Sequence, residues 1–231
     1  MMIAIIGAME EEVNTLKKRI NNLQELTRFS FKFYTGEIRG KSIVLMKSGI
    51  GKVNAAVGTT LLFEMFPVDY VINIGTAGGM ISSGEVLDIV ISDKVCYHDV
   101  DVTGFNYAYG QIPGYPLYFI SDKKLLDLAE EIIQAKSLRY HKGLIVSGDS
   151  FVYQDSQRSV VKAHFPDCVA LDMEAAAISH VCHIYNKRFI VIRSLSDIAG
   201  KASHLSFDKY LEKASQVSSD IVYELVSHLA V

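Results

Sequence analysis

Carboxylates recur in this chain where an apolar run gives way to a polar one. "AIIGAMEEEV" (4–13) sets Glu10, Glu11 and Glu12 behind an apolar stretch and a glycine, and "LDMEAAAISH" (171–180) carries Asp172 and Glu174. "RSLSD" (193–197) places Arg193 and Asp197 at the end of an apolar run. A charge at such a point requires a partner or a task. For Arg193 the plain alternative is an ion pair with a carboxylate. Among the three front acids, helical geometry of about 100° per residue puts Val13, Leu16, Ile20 and Met9 on one buried face. Glu11 then faces solvent, while Glu10 and Glu12 flank the buried stripe. Either flank can reach a cleft, and either can simply favour a helix N-terminus. Periodicity does not choose between them.

Other stretches are less specific. The glycines of "GTAGG" (75–79) allow a ligand close to main-chain N–H groups, or merely a tight turn. "SGIGKV" (48–53) lacks the spacing of a Walker phosphate loop. His180 and His183 have neither a nearby carboxylate pattern nor HExxH order, so no metal site is expected. No G-x-S-x-G is present to suggest a serine hydrolase.

The elements that must position these residues alternate. Apolar runs at 3–6, 70–75, 86–93, 143–148, 168–173 and 189–196 predict buried strands. Helical patterns cover 10–20, 52–66, 123–137, 174–185 and 206–228. Residues 36–49 predict a hairpin turning at Arg39-Gly40, and 97–116 an irregular, aromatic-rich stretch. This order predicts one α/β domain over residues 1–231, with a largely parallel sheet covered on both faces. Its site belongs beyond the carboxyl ends of the strands. A net charge of −3 argues against nucleic-acid and anionic-membrane partners. Cys96, Cys168 and Cys182 have no CxxC spacing, so neither a disulfide framework nor a structural zinc site is indicated. The apolar start is short, has no cationic segment and runs straight into acids, and no run reaches a membrane span of about 18 residues. The expectation is a cytoplasmic protein.

"IIGAMEEEV", "SGIGKVNAA", "GTAGG", "YHDVDVTGFNYAYGQIPG", "VSGDSF", "MEAAAISHV" and "RSLSDIAG...SHLSF" follow one another in a familiar order and spacing. From residue 3 to the last helix the sequence resembles the bacterial 5′-methylthioadenosine/S-adenosylhomocysteine nucleosidases of the nucleoside phosphorylase superfamily. The resemblance implies a three-layer α/β/α sandwich around a mixed twisted sheet, and a homodimer. It implies hydrolysis of the N-glycosidic bond of adenine thionucleosides in methionine salvage, with no metal or organic cofactor. Asp197 would protonate the purine, which requires a pKa raised as burial would raise it. Glu12 would activate water on the opposite face, as in inverting glycosidases.

The same resemblance assigns the ribose hydroxyls to Glu174 and the Met173 main chain, with Arg193 orienting Glu174, Glu12 or the water. Phe151 would stack on adenine beside the Val152 backbone. Met9, Ile50, Val102 and Phe207 would hold the alkylthio group, and Thr76, Ala77, Gly78, Asp172 and Ser196 complete the substrate contacts. Phe105 and Pro113 would enter the neighbouring subunit's site. Thr76 stands where serine is usual, Ile74 where threonine is, and Asp172 where glutamate is, which bears on substrate preference and leaves the reaction intact. A phosphorylase is disfavoured, because Asn73 stands where hexameric phosphorylases carry an arginine and Glu12 would repel phosphate. Futalosine-type hydrolysis is a further alternative. A non-catalytic nucleoside-binding protein is disfavoured by the joint presence of Glu12, Glu174 and Asp197.

Overall fold

The computed structural model describes residues 1–198 and 203–229, and of 203–206 the backbone alone. Ala199 and Gly200 of the last motif, and the side chains of its 203–206 portion, therefore lie outside the described residues. Among the described residues, ten strands and six α-helices follow in the order β1 (Met2–Gly7), α1 (Glu10–Lys17), β2 (Asn21–Arg28), β3 (Phe31–Ile38), β4 (Lys41–Lys47), α2 (Lys52–Met65) and β5 (Tyr70–Gly79). Then come β6 (Ile89–Tyr97), β7 (Phe119–Ile120), α3 (Lys123–Ala135), β8 (Tyr140–Ser147), α4 (Asp155–His164), β9 (Cys168–Asp172), α5 (Ala175–Ile184), β10 (Arg188–Ile198) and α6 (Ser203–His228). No helix among the described residues is long and apolar enough to cross a membrane.

Local chemistry accounts for most boundaries. Asp122 caps α3 by accepting the Leu125 N–H at 3.1 Å, and Leu125, Ala129, Ile132 and Ile133 form its buried stripe. Between β3 and β4, Arg39 and Gly40 both adopt positive φ (51° and 75°), the two-residue turn whose twist matches the strands. Three elements escaped the sequence reading. Strand β2 is exposed at every residue and shows no apolar alternation, because it lies at the sheet edge and pairs with β3. Strand β7 is only two residues long, and α4 buries only Val161.

The sheet is mixed. β1 runs parallel to β4 and β5, β5 to β10, and β8 to both β6 and β9, while β10 meets β6 antiparallel and β9 meets β5 antiparallel. Strands β5, β10, β6, β8 and β9 thus close into a ring, and β1, β4, β3 and β2 extend it as an open wing. One apolar cluster joins β1, β5 and β10 to α1, α3 and α6 through Ile5, Ile72, Ile190, Leu16, Ile133 and Leu225. A second covers the opposite face under α2 and α5, and a third lies beneath α4. The layers are those expected, but the sheet is not largely parallel as the apolar runs suggested: β2–β3, β3–β4, β5–β9, β6–β7 and β6–β10 all pair antiparallel, and the ring closure depends on two of these pairings.

Leu225 is fully buried between α6 and this sheet face. Leu225→Ala should lower unfolding stability by about 2–5 kcal/mol, read from the denaturant midpoint.

Candidate active site

The carboxyl ends of β1, β4, β5 and β10 lie together because these strands run parallel, and the antiparallel pairing of Gly78 with Leu171 brings the carboxyl end of β9, with that of its parallel neighbour β8, to the same place. Past them opens a cavity of about 320 Å³, within the range of small-molecule sites.

Glu12 lies on its floor, 2% exposed. It is the third residue of α1, and its Oε2 accepts the N–H groups of Ala8 (2.7 Å) and Met9 (3.1 Å) at the start of its own helix. Oε1 accepts the Thr76 N–H at 2.9 Å. The helix-capping reading and the cleft reading of the acids are thus both true of one residue. Glu10 turns instead to Lys47 at 3.0 Å, and Glu11 is exposed. Burial pushes the Glu12 carboxyl above its ordinary value, against the pull of Arg193 and of the three N–H donors.

Arg193 is 1% exposed behind this floor. Its Nη2 and Nε donate to Asp172 Oδ2, Nη1 to the Ile74 carbonyl, and Nη2 also to Asn73 Oδ1 at 2.7 Å. The ion pair is therefore with Asp172, and Arg193 acts on Glu12 and Glu174 through its charge. Burial opposes the Arg193 charge, yet the carboxylates of Asp172, Glu12 and Glu174 hold it more firmly protonated than usual. Asp172 is itself fixed by Ser147 Oγ at 2.5 Å and by the Ala175 N–H at 3.0 Å.

Glu174, immediately before α5, accepts the Gly51 N–H at 2.8 Å. Burial, then the negative charges of Asp172 and Glu12, push its carboxyl up to about 8 despite Arg193.

"GTAGG" is not a turn. Strand β5 runs through it to Gly79, paired with β10 and then β9. A Cβ on Gly75, whose φ is +149°, would come within 2.4 Å of Glu12 Oε1 and 2.5 Å of Arg193 Nη1, so only glycine fits there. The β5–β10 register slips between Leu195 and Asp197, a bulge at Ser196. That bulge brings two successive side chains to the cavity. Asp197, 1% exposed, lies 3.3 Å from where a Gly78 Cβ would be, and Ser196 Oγ donates to its Oδ1 at 2.9 Å.

Met9, Ile50, Thr76, Ala77, Gly78, Phe151, Asp172, Met173 and Phe207 line the same cavity. Phe151 meets Phe207 edge-on, with ring centroids 5.8 Å apart. Val152 lines a small adjoining recess that shares Phe151 and Asp197. Val102 is not among the lining of this chain's cavity. The 97–116 stretch that carries it packs outward over α4 and α5, where Tyr109 stacks on His164 and Tyr115 meets His180 edge-on. Phe105 and Pro113, on the same stretch, are exposed and also outside this chain's cavity. Sequence reasoning assigned no role to Ala8, Leu171 and Asp208 in the lining, nor to Ser147 behind Asp172, although the strand-end rule covers Ala8 and Ser147 by position. Of these only Ser147 carried a signal in its residue type, as a polar residue ending an apolar strand.

A family model described as the Phosphorylase superfamily matches residues 2–227. The chain is 51% identical over 230 residues to a 5′-methylthioadenosine/S-adenosylhomocysteine nucleosidase of Anoxybacillus flavithermus, covering 99% of both chains. The chain belongs to this nucleosidase family. Among solved nucleosidases, the enzyme of Neisseria meningitidis in complex with methylthio-immucillin-A superposes with a TM-score of 0.97 at 42% identity, over 99% of each chain. That of Colwellia psychrerythraea in complex with adenine gives 0.95 at 42% identity, covering 98% of this chain and 94% of the other. The nucleosidase fold thus extends through the whole of the glycine edge and the carboxylate cluster.

Two outcomes follow from this geometry. Gly75→Ala should destabilise the protein by about 2–5 kcal/mol through positive φ and the clash with Glu12 and Arg193, measured by chemical denaturation. Because folding raises the Glu174 pKa from 4.5 to about 8, the native state binds the extra proton across that window. Its stabilising contribution is complete below pH 4.5 and is lost as pH rises to 8. Glu174→Gln should therefore gain stability relative to wild type between those pH values, and parallel Tm–pH profiles would refute the shift.

Proposed function

We propose that this protein hydrolyses the N-glycosidic bond of 5′-methylthioadenosine and S-adenosylhomocysteine, releasing adenine and the 5-thio-substituted ribose. The observation that carries the reading is the placement of two buried carboxylates along one glycine edge. Glu12 faces Gly75 and Asp197 faces Gly78, positions separated by about 10 Å of extended strand. A nucleoside laid along that edge has one acid at its base and another at its sugar.

In this reading Asp197, protonated, donates its proton to the purine as the bond from the ribose carbon to the purine nitrogen breaks, and the bonding pair leaves with the base. The ribose carbon becomes cation-like. Glu12, whose oxygens retain acceptor capacity beside their main-chain partners, takes a proton from water as the water oxygen bonds to that carbon. Glu174, held on one oxygen by Gly51, receives the ribose hydroxyls on the other. Phe151 offers its ring to adenine, and Met9, Ile50 and Phe207 supply the apolar wall for the thioether.

Water rather than phosphate suits the charges. Among the described lining residues are Glu12, Asp172, Glu174, Asp197 and Asp208, with neither Lys nor Arg, whereas a phosphate site needs cations. Arg193 is committed to Asp172, and the N–H donors of Ala8, Met9 and Thr76 to Glu12.

The chain acts as one domain, in the cytoplasm, and as a homodimer with a shared site. Phe105 is 77% exposed and Val53 72% exposed, and Ile50 combines a place in the cavity wall with 51% exposure. A second copy of the chain that covers these side chains would complete the chamber with Phe105 and Pro113.

Purified protein should release adenine from methylthioadenosine in phosphate-free buffer. Release only on adding phosphate would sink the reading. Asp197→Asn should lower kcat by about 10²–10⁴-fold, and near-normal turnover would move the acid role elsewhere. Sedimentation should give a dimer, and an active monomer at nanomolar concentration would count against the shared site.

A further inference from the structure

Next to the chamber lies a charge cluster that the reaction itself does not use. Lys52 Nζ meets Asp99 Oδ2 at 2.7 Å and Asp149 Oδ2 at 3.9 Å. Main-chain bonds tighten the group: the Lys52 N–H donates to Asp149 Oδ1 at 2.7 Å, and the Asp149 N–H donates to Asp99 Oδ2 at 2.9 Å. Asp99 therefore accepts both the ammonium and a main-chain donor, while Asp149 accepts a main-chain donor and faces the ammonium as an ion pair, a more constrained arrangement than an isolated surface pair. The Lys52 ammonium also lies 5.5 Å from the centre of the Tyr97 ring.

The three residues belong to three separate segments. Lys52 opens α2, Asp99 follows β6, and Asp149 follows β8. Lys52 is two residues after Ile50 and one after Gly51, whose N–H holds Glu174. Asp149 is two residues before Phe151. The segments that carry Ile50 and Phe151, two walls of the chamber, are thus joined by one set of charges. The preceding residue adds rigidity. Gly148 donates its N–H to the Asp172 carbonyl at 3.2 Å, and a Cβ there would come within 2.5 Å of the His98 ring.

We propose that Asp99, Lys52 and Asp149 form a clamp that sets the spacing of the two apolar walls, with Lys52 and Asp149 as positioning residues for substrate binding. The proposal rests on the nucleosidase reading for its substrate. The clamp touches no reacting atom. It governs how well the chamber grips the nucleoside before and during reaction, so its loss should appear in KM rather than kcat.

Asp149→Ala should raise KM for methylthioadenosine about tenfold while kcat stays within about threefold. Asp149→Asn keeps an oxygen to accept the Lys52 N–H and should restore KM to within about threefold of wild type. Lys52→Met, which leaves that main-chain bond intact, should raise KM by about threefold to tenfold and covers the case in which Asp149→Ala does not fold. Adenine affinity by calorimetry should weaken in the same order. An unchanged KM in Asp149→Ala and Lys52→Met overturns the clamp, as does a fall confined to kcat. So does equal loss in the Ala and Asn variants. Should the wild type lack nucleosidase activity, the function reading fails on its own, and adenine affinity across the variants still decides the clamp.

Discussion

The buried guanidinium of Arg193 is the constraint on which the site is built. Three carboxylates, Asp172, Glu174 and Glu12, lie under 10% exposed around it. Without a cation among them, their ionised forms would face desolvation and mutual repulsion together. Arg193 is held on several sides, by Asp172, Asn73 and the Ile74 carbonyl, so its charge is fixed in place. It influences Glu12 and Glu174 by field alone. Burial outweighs that field at both acids: with the charges of Asp172 and Glu12 it drives Glu174 upward in pKa, and it raises Glu12 even against Arg193 and three N–H donors.

Backbone irregularities do the remaining positioning. Gly75 removes the side chain that would separate Glu12 from Arg193, and Gly78 lets Asp197 approach the strand. The bulge at Ser196 turns Ser196 and Asp197 to the same side, which an unbroken alternating strand could not do. Glu12 joins folding to chemistry. The carboxylate that satisfies the free N–H groups of its own helix start is the one aimed into the cavity, so its rigidity comes from a helix cap.

Strong local signals were legible. The amphipathic stripe of α3, the Arg39-Gly40 turn and the apolar runs of β1, β8 and β10 all follow from periodicity or turn chemistry. Elements stabilised chiefly by neighbours were not. Strand β2 has no buried residue to mark it, and "GTAGG" reads as a turn until β10 and β9 are present to pair with it. Val102 belongs to a stretch whose course over α4 and α5 is likewise set by contacts distant in sequence, such as Tyr109 on His164 and Tyr115 on His180.

Residue pattern alone was enough for the class of fold, the strand ends where chemistry had to be sought, and the exclusion of Glu11 from the candidates. The family motifs then added the roles. Pattern could not separate Glu10 from Glu12, because both flank the same helical stripe. The fold separates them, since β5 passes on one side of α1 with the Thr76 N–H, while Lys47 of β4 waits on the other. Likewise the partner of Arg193 was open among several acids until β9 and β10 brought Asp172 against it. Local sequence encodes which way a side chain points on its own element. Which charge it then meets depends on strands distant in the chain, and only their packing in three dimensions supplies it.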